Sequence, residues 1–245
     1  MGAAQQFEVP KIIGHRGAAG HAPENTVAGF RKAAALGVRW VEFDVQQSLD
    51  GHVVLFHDET LERTTSGRGK VGSRTLSELQ RLDAGAWFAP AFQGERIPSL
   101  SEALRALAAL GLGANVEIKP AQGRAAETAR AVARLLQKEW PDGLPAPLIS
   151  SFSAEALAVA RDAAPEFPRA LLARGLPADW RDRLRDLGCT GFHCAHDRLK
   201  ASEAAEVIKA GYALRCYTVN ERKRADTLFR WGVDSVFSDY PDRLL

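Results

Sequence analysis

A small set of side chains able to move protons, hold a cation or bind an anion stands at the ends of short extended runs. Ile12-Ile13-Gly14 leads into His15-Arg16-Gly17, and Val53-Val54-Leu55-Phe56 leads into His57-Asp58. An imidazole exchanges protons near neutral pH and a guanidinium grips an anion at two points, which together begin a phosphate-processing site. In Val41-Glu42-Phe43-Asp44-Val45 the two-residue period of a strand turns the apolar residues one way and Glu42 and Asp44 the other. Asn115-Val116-Glu117-Ile118-Lys119 repeats the pattern and adds Glu117 and Lys119 to a polar face. Three carboxylates facing one interior repel one another unless a cation bridges them, and an all-oxygen donor set suits Mg²⁺ or Ca²⁺ better than zinc. The alternative is structural, with the same carboxylates paired to Arg16 and Lys119 as a salt-bridge layer.

The elements that must position these groups can be read in order. Gly14, Gly17 and Gly20 permit a sharp bend after the first strand, and Asn25 or Thr26 can cap a helix over 26–36 that stops at Gly37. Asp50-Gly51 marks a turn before the extended piece His52 to Asp58. Residues 59–98 are irregular, with a basic glycine loop, a capping box at Thr75-Leu76-Ser77-Glu78 and an aromatic cluster of Trp87, Phe88 and Phe92. This stretch reads as an insertion after strand two, too poor in regular apolar pattern to fold alone. Its aromatics suit a lid face or a subunit contact equally.

Ser99-Leu100-Ser101-Glu102 opens a helix that carries Leu104, Leu107 and Leu110 to Gly111. Beyond Lys119, strands over 148–151, 169–172, 190–193, 213–217 and 235–237 alternate with helices over 125–138, 154–162, 178–187, 202–209 and 221–231. Residues 241–245 are the remnant of a last helix. Eight strand–helix units over 245 residues predict an α/β fold, a TIM (β/α)8 barrel forming one domain over 1–245. An open doubly wound sheet is the second choice and lacks a dinucleotide glycine fingerprint. In a barrel the active groups gather at the carboxyl ends of the strands, where His15, Arg16, Glu42, Asp44, His57, Glu117 and Lys119 converge at strands one, two and three.

Composition narrows the partners. A net charge of +2 with no long basic run argues against nucleic acid. No stretch reaches the roughly 18 apolar residues of a membrane span, and Met1 to Lys11 carries no apolar core of signal-peptide length. No membrane anchor is expected. Cys189, Cys194 and Cys216 are odd in number and sparse, which fits reduced thiols and a cytoplasmic location. Gly67-Arg68-Gly69-Lys70 lacks the residues of a phosphate loop and reads as a solvated turn. Cys189, His193, Cys194 and His196 crowd together, yet their spacing fits no common zinc finger and strand alternation splits neighbours to opposite faces.

Taken together, His15-Arg16-Gly17, Pro23-Glu24-Asn25-Thr26, Glu42-Phe43-Asp44-Val45, Asp50-Gly51, His57-Asp58, Arg63-Thr64-Thr65, Asp83-Ala84-Gly85-Ala86-Trp87-Phe88, Asn115-Val116-Glu117-Ile118-Lys119 and Thr218-Val219-Asn220-Glu221 carry a resemblance that runs nearly end to end. The chain resembles the bacterial glycerophosphodiester phosphodiesterases. The resemblance implies a barrel with a small insertion after strand two, catalytic His15 and His57, and one divalent cation, Mg²⁺ or Ca²⁺, held by Glu42, Asp44 and Glu117. It also implies release of sn-glycerol 3-phosphate from a small-molecule glycerophosphodiester, by attack of water or of the substrate's own 2-hydroxyl. Arg16 and Lys119 are assigned to binding the phosphodiester. Ser48 and Ser238 stand where the family often has threonine, and Tyr217 where some members carry tryptophan. Rival functions are a lysophospholipase D on the same barrel and a catalytically silent phosphodiester binder.

Overall fold

Alternating apolar residues on short strands, each followed by an amphipathic helix, bury best when the strands close on themselves and the helices cover the outside. The computed structural model describes residues 9–245 and has this form. Met1 to Glu8, which hold most of the segment inspected for a leader, lie outside the described residues. The strands are β1 (Ile12–Gly14), β2 (Trp40–Gln47), β3 (Val53–Leu55), β4 (Gly113–Ile118), β5 (Leu148–Ser151), β6 (Arg169–Ala173), β7 (Gly191–Ala195), β8 (Ala213–Tyr217) and β9 (Ser235–Ser238). The helices are α1 (Val27–Ala35), α2 (Leu76–Leu79), α3 (Leu100–Leu110), α4 (Ala125–Glu139), α5 (Ala154–Ala163), α6 (Trp180–Asp186), α7 (Ala201–Lys209) and α8 (Arg222–Arg230).

Strand β1 pairs in parallel with both β9 and β2, and β2 with β4, so the ring β1-β2-β4-β5-β6-β7-β8-β9 closes. The TIM barrel expected from the alternation is therefore present. Strand β3 is not a stave of the ring; it pairs antiparallel with β2, Val45 opposite Leu55, through the Asp50-Gly51 turn. His57 thus reaches the barrel mouth from the end of a hairpin rather than from a barrel strand. Two apolar layers hold the helices to the ring, one around Phe43, Val116, Leu104 and Val132, the other around Phe192, Leu214, Leu184 and Leu228.

The segment after β3 packs Leu61, Val71, Leu79, Ala84 and Ile97 with Val54 and Phe56 into a small cluster of its own. Trp87, Phe88 and Phe92 meet edge to face. The predicted capping boxes at Thr75 and Ser99 both form. At α1 the choice between two caps falls to Thr26, whose hydroxyl accepts from the Gly29 amide at 3.1 Å. Asn25 instead takes a left-handed φ of 56° and turns into the site. The last barrel strand is followed by one 3-10 turn, Pro241–Arg243, the reduced eighth helix. Among the described residues no helix is long and apolar enough to cross a membrane. Cys189, Cys194 and Cys216 are free and buried, and burial pushes the Cys189 thiol up to about 11.

Candidate active site

Register puts the acids together. Glu42 and Asp44 alternate onto the same face of β2, and β4 sets Asn115 opposite Glu42 and Glu117 opposite Asp44. One carboxylate oxygen from each of Glu42, Asp44 and Glu117 lies within 4.8 Å of the others, and all three side chains are buried. Asp44 is the best satisfied of them. Asn25 Nδ2 donates to its Oδ2 at 2.9 Å, Arg16 Nε lies 3.3 Å from the same oxygen, and Lys119 Nζ is 3.7 Å from Oδ1. Burial works to raise the Asp44 carboxyl, but the charges of Arg16, His57 and Lys119 outweigh it and hold it below the usual range.

Glu42 and Glu117 are in the opposite position. Burial, then repulsion from Asp44 and Glu117, drives Glu42 well above an ordinary carboxylate. Burial and Asp44 push Glu117 up to about 7 in spite of the Lys119 ammonium 3.2 Å from its Oε1. Glu42 Oε2 accepts from the Arg16 amide at 3.0 Å, while Oε1 is buried with no hydrogen-bond partner. A pure salt-bridge layer would leave no such orphan. An all-oxygen set with an unpartnered buried carboxylate oxygen and unrelieved repulsion fits a hard divalent cation.

Two imidazoles stand beside this cluster, each backed by a carboxylate. His15 Nδ1 is 2.7 Å from Asp239 Oδ1, and its Nε2 is 3.9 Å from Glu42 Oε2. Asn220 Nδ2 holds the other Asp239 oxygen at 2.9 Å. His57 Nδ1 is 2.6 Å from Asp58 Oδ1. Burial lowers the His57 pKa, with Asp44 and Asp58 opposing the fall. Arg63, from the inserted segment, braces both acids of this edge, reaching Glu24 at 2.7 and 2.8 Å and Asp58 at 2.6 and 2.9 Å. Its hydrogen bonds help hold Asp58 at about 2. Glu24 in turn accepts from Arg16 Nη1 at 2.7 Å.

The loop that carries His15 and Arg16 is tightly made. Arg16 sits at φ 49°, a conformation L-residues rarely take outside functional loops. Gly17 sits at φ 91°, and a Cβ there would lie 2.7 Å from the Gly29 carbonyl carbon, so the loop lies directly on α1. These groups line a cleft of about 270 Å³ bounded by His15, Arg16, Glu42, His57, Glu117 and Lys119 on one side and by Phe152, Arg174 and Tyr217 on the other.

Every site residue expected from the sequence comes to this mouth: His15, Arg16, Glu42, Asp44, His57, Glu117 and Lys119. Asp239 was not anticipated, although its place just after β9 is a strand end like the others. Arg174, just after β6, could have been found by the same rule. Trp87, Phe88 and Phe92 do not line the cleft. His21 pairs with Asp242 at 2.6 Å, away from the carboxylate cluster. His193 faces the barrel interior while Cys189 and Cys194 join the outer apolar layer, so the crowded Cys/His stretch forms no zinc site.

A buried cluster of three acids beside two carboxylate-backed imidazoles, at the mouth of a parallel barrel, is the equipment of a phosphate-ester hydrolase. Residues 15–243 match the model of the glycerophosphoryl diester phosphodiesterase family, and the chain belongs to that family of enzymes. The YhdW protein of Bacillus subtilis is 36% identical over 239 residues, with 96% of each chain covered. A glycerophosphodiester phosphodiesterase of Caldanaerobacter subterraneus subsp. tengcongensis is 34% identical over 239 residues, again with 96% of each covered. Among solved structures, an Oleispira antarctica phosphodiesterase in complex with its product sn-glycerol-3-phosphate superposes with a TM-score of 0.94 at 40% identity, covering 96% of this chain and 95% of that one.

Proposed function

We propose that the enzyme hydrolyses glycerophosphodiesters to sn-glycerol 3-phosphate and an alcohol, with one divalent cation, Mg²⁺ or Ca²⁺, held by Glu42, Asp44 and Glu117. The observation that carries this reading is the pair of imidazoles at one cleft, each with Nδ1 on a carboxylate and Nε2 left for substrate. A bound cation supplies Lewis-acid polarisation of a phosphoryl oxygen and offsets negative charge there. Arg16 and Lys119, whose charges are kept by the surrounding acids, bind the non-bridging oxygens and offset charge that grows as the attacking oxygen closes on phosphorus.

His57, lowered by burial, is neutral near pH 7 and takes the proton of the attacking hydroxyl at Nε2. As the new phosphorus–oxygen bond forms and the old one breaks, His15, oriented by Asp239, gives its Nε2 proton to the departing alcohol oxygen. The attacking hydroxyl is that of water or the 2-hydroxyl of the glycerol; in the latter case the alcohol leaves a cyclic phosphate that water then opens to glycerol 3-phosphate, and an analogue lacking that 2-hydroxyl decides between the routes by its rate. The segment 59–98 serves this site within one catalytic domain over 1–245, since its Arg63 fixes the acids behind His57 and Arg16. Buried free thiols support a reducing, cytoplasmic location.

The test is release of glycerol 3-phosphate from glycerophosphocholine, glycerophosphoethanolamine and glycerophosphoglycerol by purified protein, with chelator and then with Mg²⁺ or Ca²⁺ added back. Chelator-sensitive release is expected. No release under either metal from a folded sample would overturn the reading.

A further inference from the structure

The cleft has a second half that the chemistry above leaves idle. Its carboxylates, Glu42 and Glu117, both sit on the cation side, among the described residues that line it. Passing round the rim from β4 to β6, the strand ends present Lys119, then Phe152, then Arg174. Phe152 is 49% exposed, a large apolar ring left open at a polar mouth. Its ring meets that of Tyr217 edge on at 6.1 Å, and the Tyr217 hydroxyl donates to the Ala173 carbonyl at 2.9 Å, next to Arg174. Arg174 is exposed and is the charged group lining this half.

An aromatic wall at a phosphodiesterase mouth would suit a trimethylammonium or ammonium headgroup through cation–π contact. Here that position is taken. Lys119 Nζ already lies over the Phe152 ring, 5.9 Å from its centroid, and Arg174, just past the end of β6, lines the same cleft. A cationic headgroup entering between Lys119 and Arg174 meets like charge on both flanks. A headgroup bearing a carboxylate or phosphate meets a guanidinium fork with no acid competing for it.

We propose that Arg174 reads the leaving alcohol, so that the enzyme selects glycerophosphodiesters whose headgroup carries its own anionic substituent over headgroups that are purely cationic. The proposal rests on the phosphodiesterase reading and adds the substrate class to it. The phosphodiester is anchored at the cation side by Arg16 and Lys119, and the departing group extends across β5 toward Arg174.

Glycerophosphoserine and glycerophosphoethanolamine make a matched pair, alike in the ammonium and different by one carboxylate. With Mg²⁺ present, kcat/KM for the serine diester is expected to exceed that for the ethanolamine diester by about 5- to 10-fold, the scale of one charge-assisted contact at a wet mouth. The preference should reside in KM and shrink as salt rises. Arg174→Gln should bring the ratio to near one, and Arg174→Glu should invert it in favour of ethanolamine and choline. A ratio that survives Arg174→Gln, or that Arg174→Glu leaves uninverted in a folded variant, overturns the role of Arg174 alone. Absence of release from the serine, ethanolamine and choline diesters alike by the unaltered enzyme overturns the phosphodiesterase reading, and this proposal with it.

Discussion

Replacing Glu117 by glutamine should stabilise the metal-free protein above neutral pH and leave it nearly unchanged in acid. An ordinary glutamate titrates near 4.5, and in the fold burial and Asp44 push this one up to about 7. The folded state therefore binds the proton more tightly than the unfolded chain. Stability from this group is complete below about pH 4.5, falls as pH rises, and is lost once the pH passes about 7. The gap of about 2.5 units, at 1.36 kcal/mol per unit, makes the loss about 3 kcal/mol. An amide at position 117 carries no charge at any pH and still accepts from Lys119, now 3.2 Å from Oε1.

The assay is urea unfolding in chelator at pH 5 and pH 8, for both proteins. The unfolding free energy of the parent should fall between the two conditions by about 2.5 kcal/mol more than that of Glu117→Gln, since a little of the loss already occurs below pH 5. Adding Mg²⁺ at about 100 times its dissociation constant should return about 2.7 kcal/mol to the parent and far less to the variant. Parallel pH dependences of the two proteins in chelator would refute the idea that Glu117 is held under repulsion in the empty pocket.

His57→Ala should lower turnover by about 10² to 10⁴. In the parent, kcat/KM should fall on the acid side with a midpoint below 6.5, because His57 must be neutral to take a proton and burial lowers its pKa. Asp58→Asn removes an opposing contribution and should move that midpoint lower still; a midpoint above 6.5 in the parent would contradict the assignment. Asp239→Asn should cost on the order of 10² in kcat with a smaller change in KM, since the His15 ring loses the acceptor that fixes its tautomer. Partial recovery by Asp239→Glu would separate this positioning from a folding defect. Thr26→Ala removes the cap of α1 and should lower stability by about 1 kcal/mol, read as an earlier urea midpoint.

The parts of the site that the sequence discloses are those fixed by local periodicity. Glu42 and Asp44 must share a face on any strand through Val41, Phe43 and Val45, and Glu117 follows by the same rule. Capping boxes are equally local, and both appear where expected. Two of the contacts that were missed join residues far apart in the chain. His15 and Asp239 lie 224 residues apart and meet because β1 pairs with β9. The brace from Arg63 to Glu24 spans 39 residues and requires the inserted segment to fold back over the first loop. Asn25 could be read as a cap, because its type suits caps; its left-handed backbone instead frees the side chain to hold Asp44 twice. The β3 hairpin was legible as a turn and an extended piece, yet its pairing with β2 alone decides that His57 comes to the mouth from outside the ring.

The arrangement of acids also favours the proposed cation over internal pairing. Arg16 and Lys119 both approach Asp44, which Asn25 also holds by hydrogen bonds, whereas Glu117 has only a share of Lys119 and Glu42 only the Arg16 amide. Glu42 and Glu117 sit on strands whose register is fixed by the barrel ladder and cannot separate to relieve their repulsion. The remaining responses are to take up a proton or to take up a cation, and these compete for the same oxygens. Asp239 and Asp58, by contrast, lie outside the cluster and each spends a carboxylate oxygen on an imidazole Nδ1. On the proposed reading, the acids that would hold the cation are thereby kept apart from those that would orient the histidines, so cation binding and proton transfer would draw on different carboxylates at one cleft.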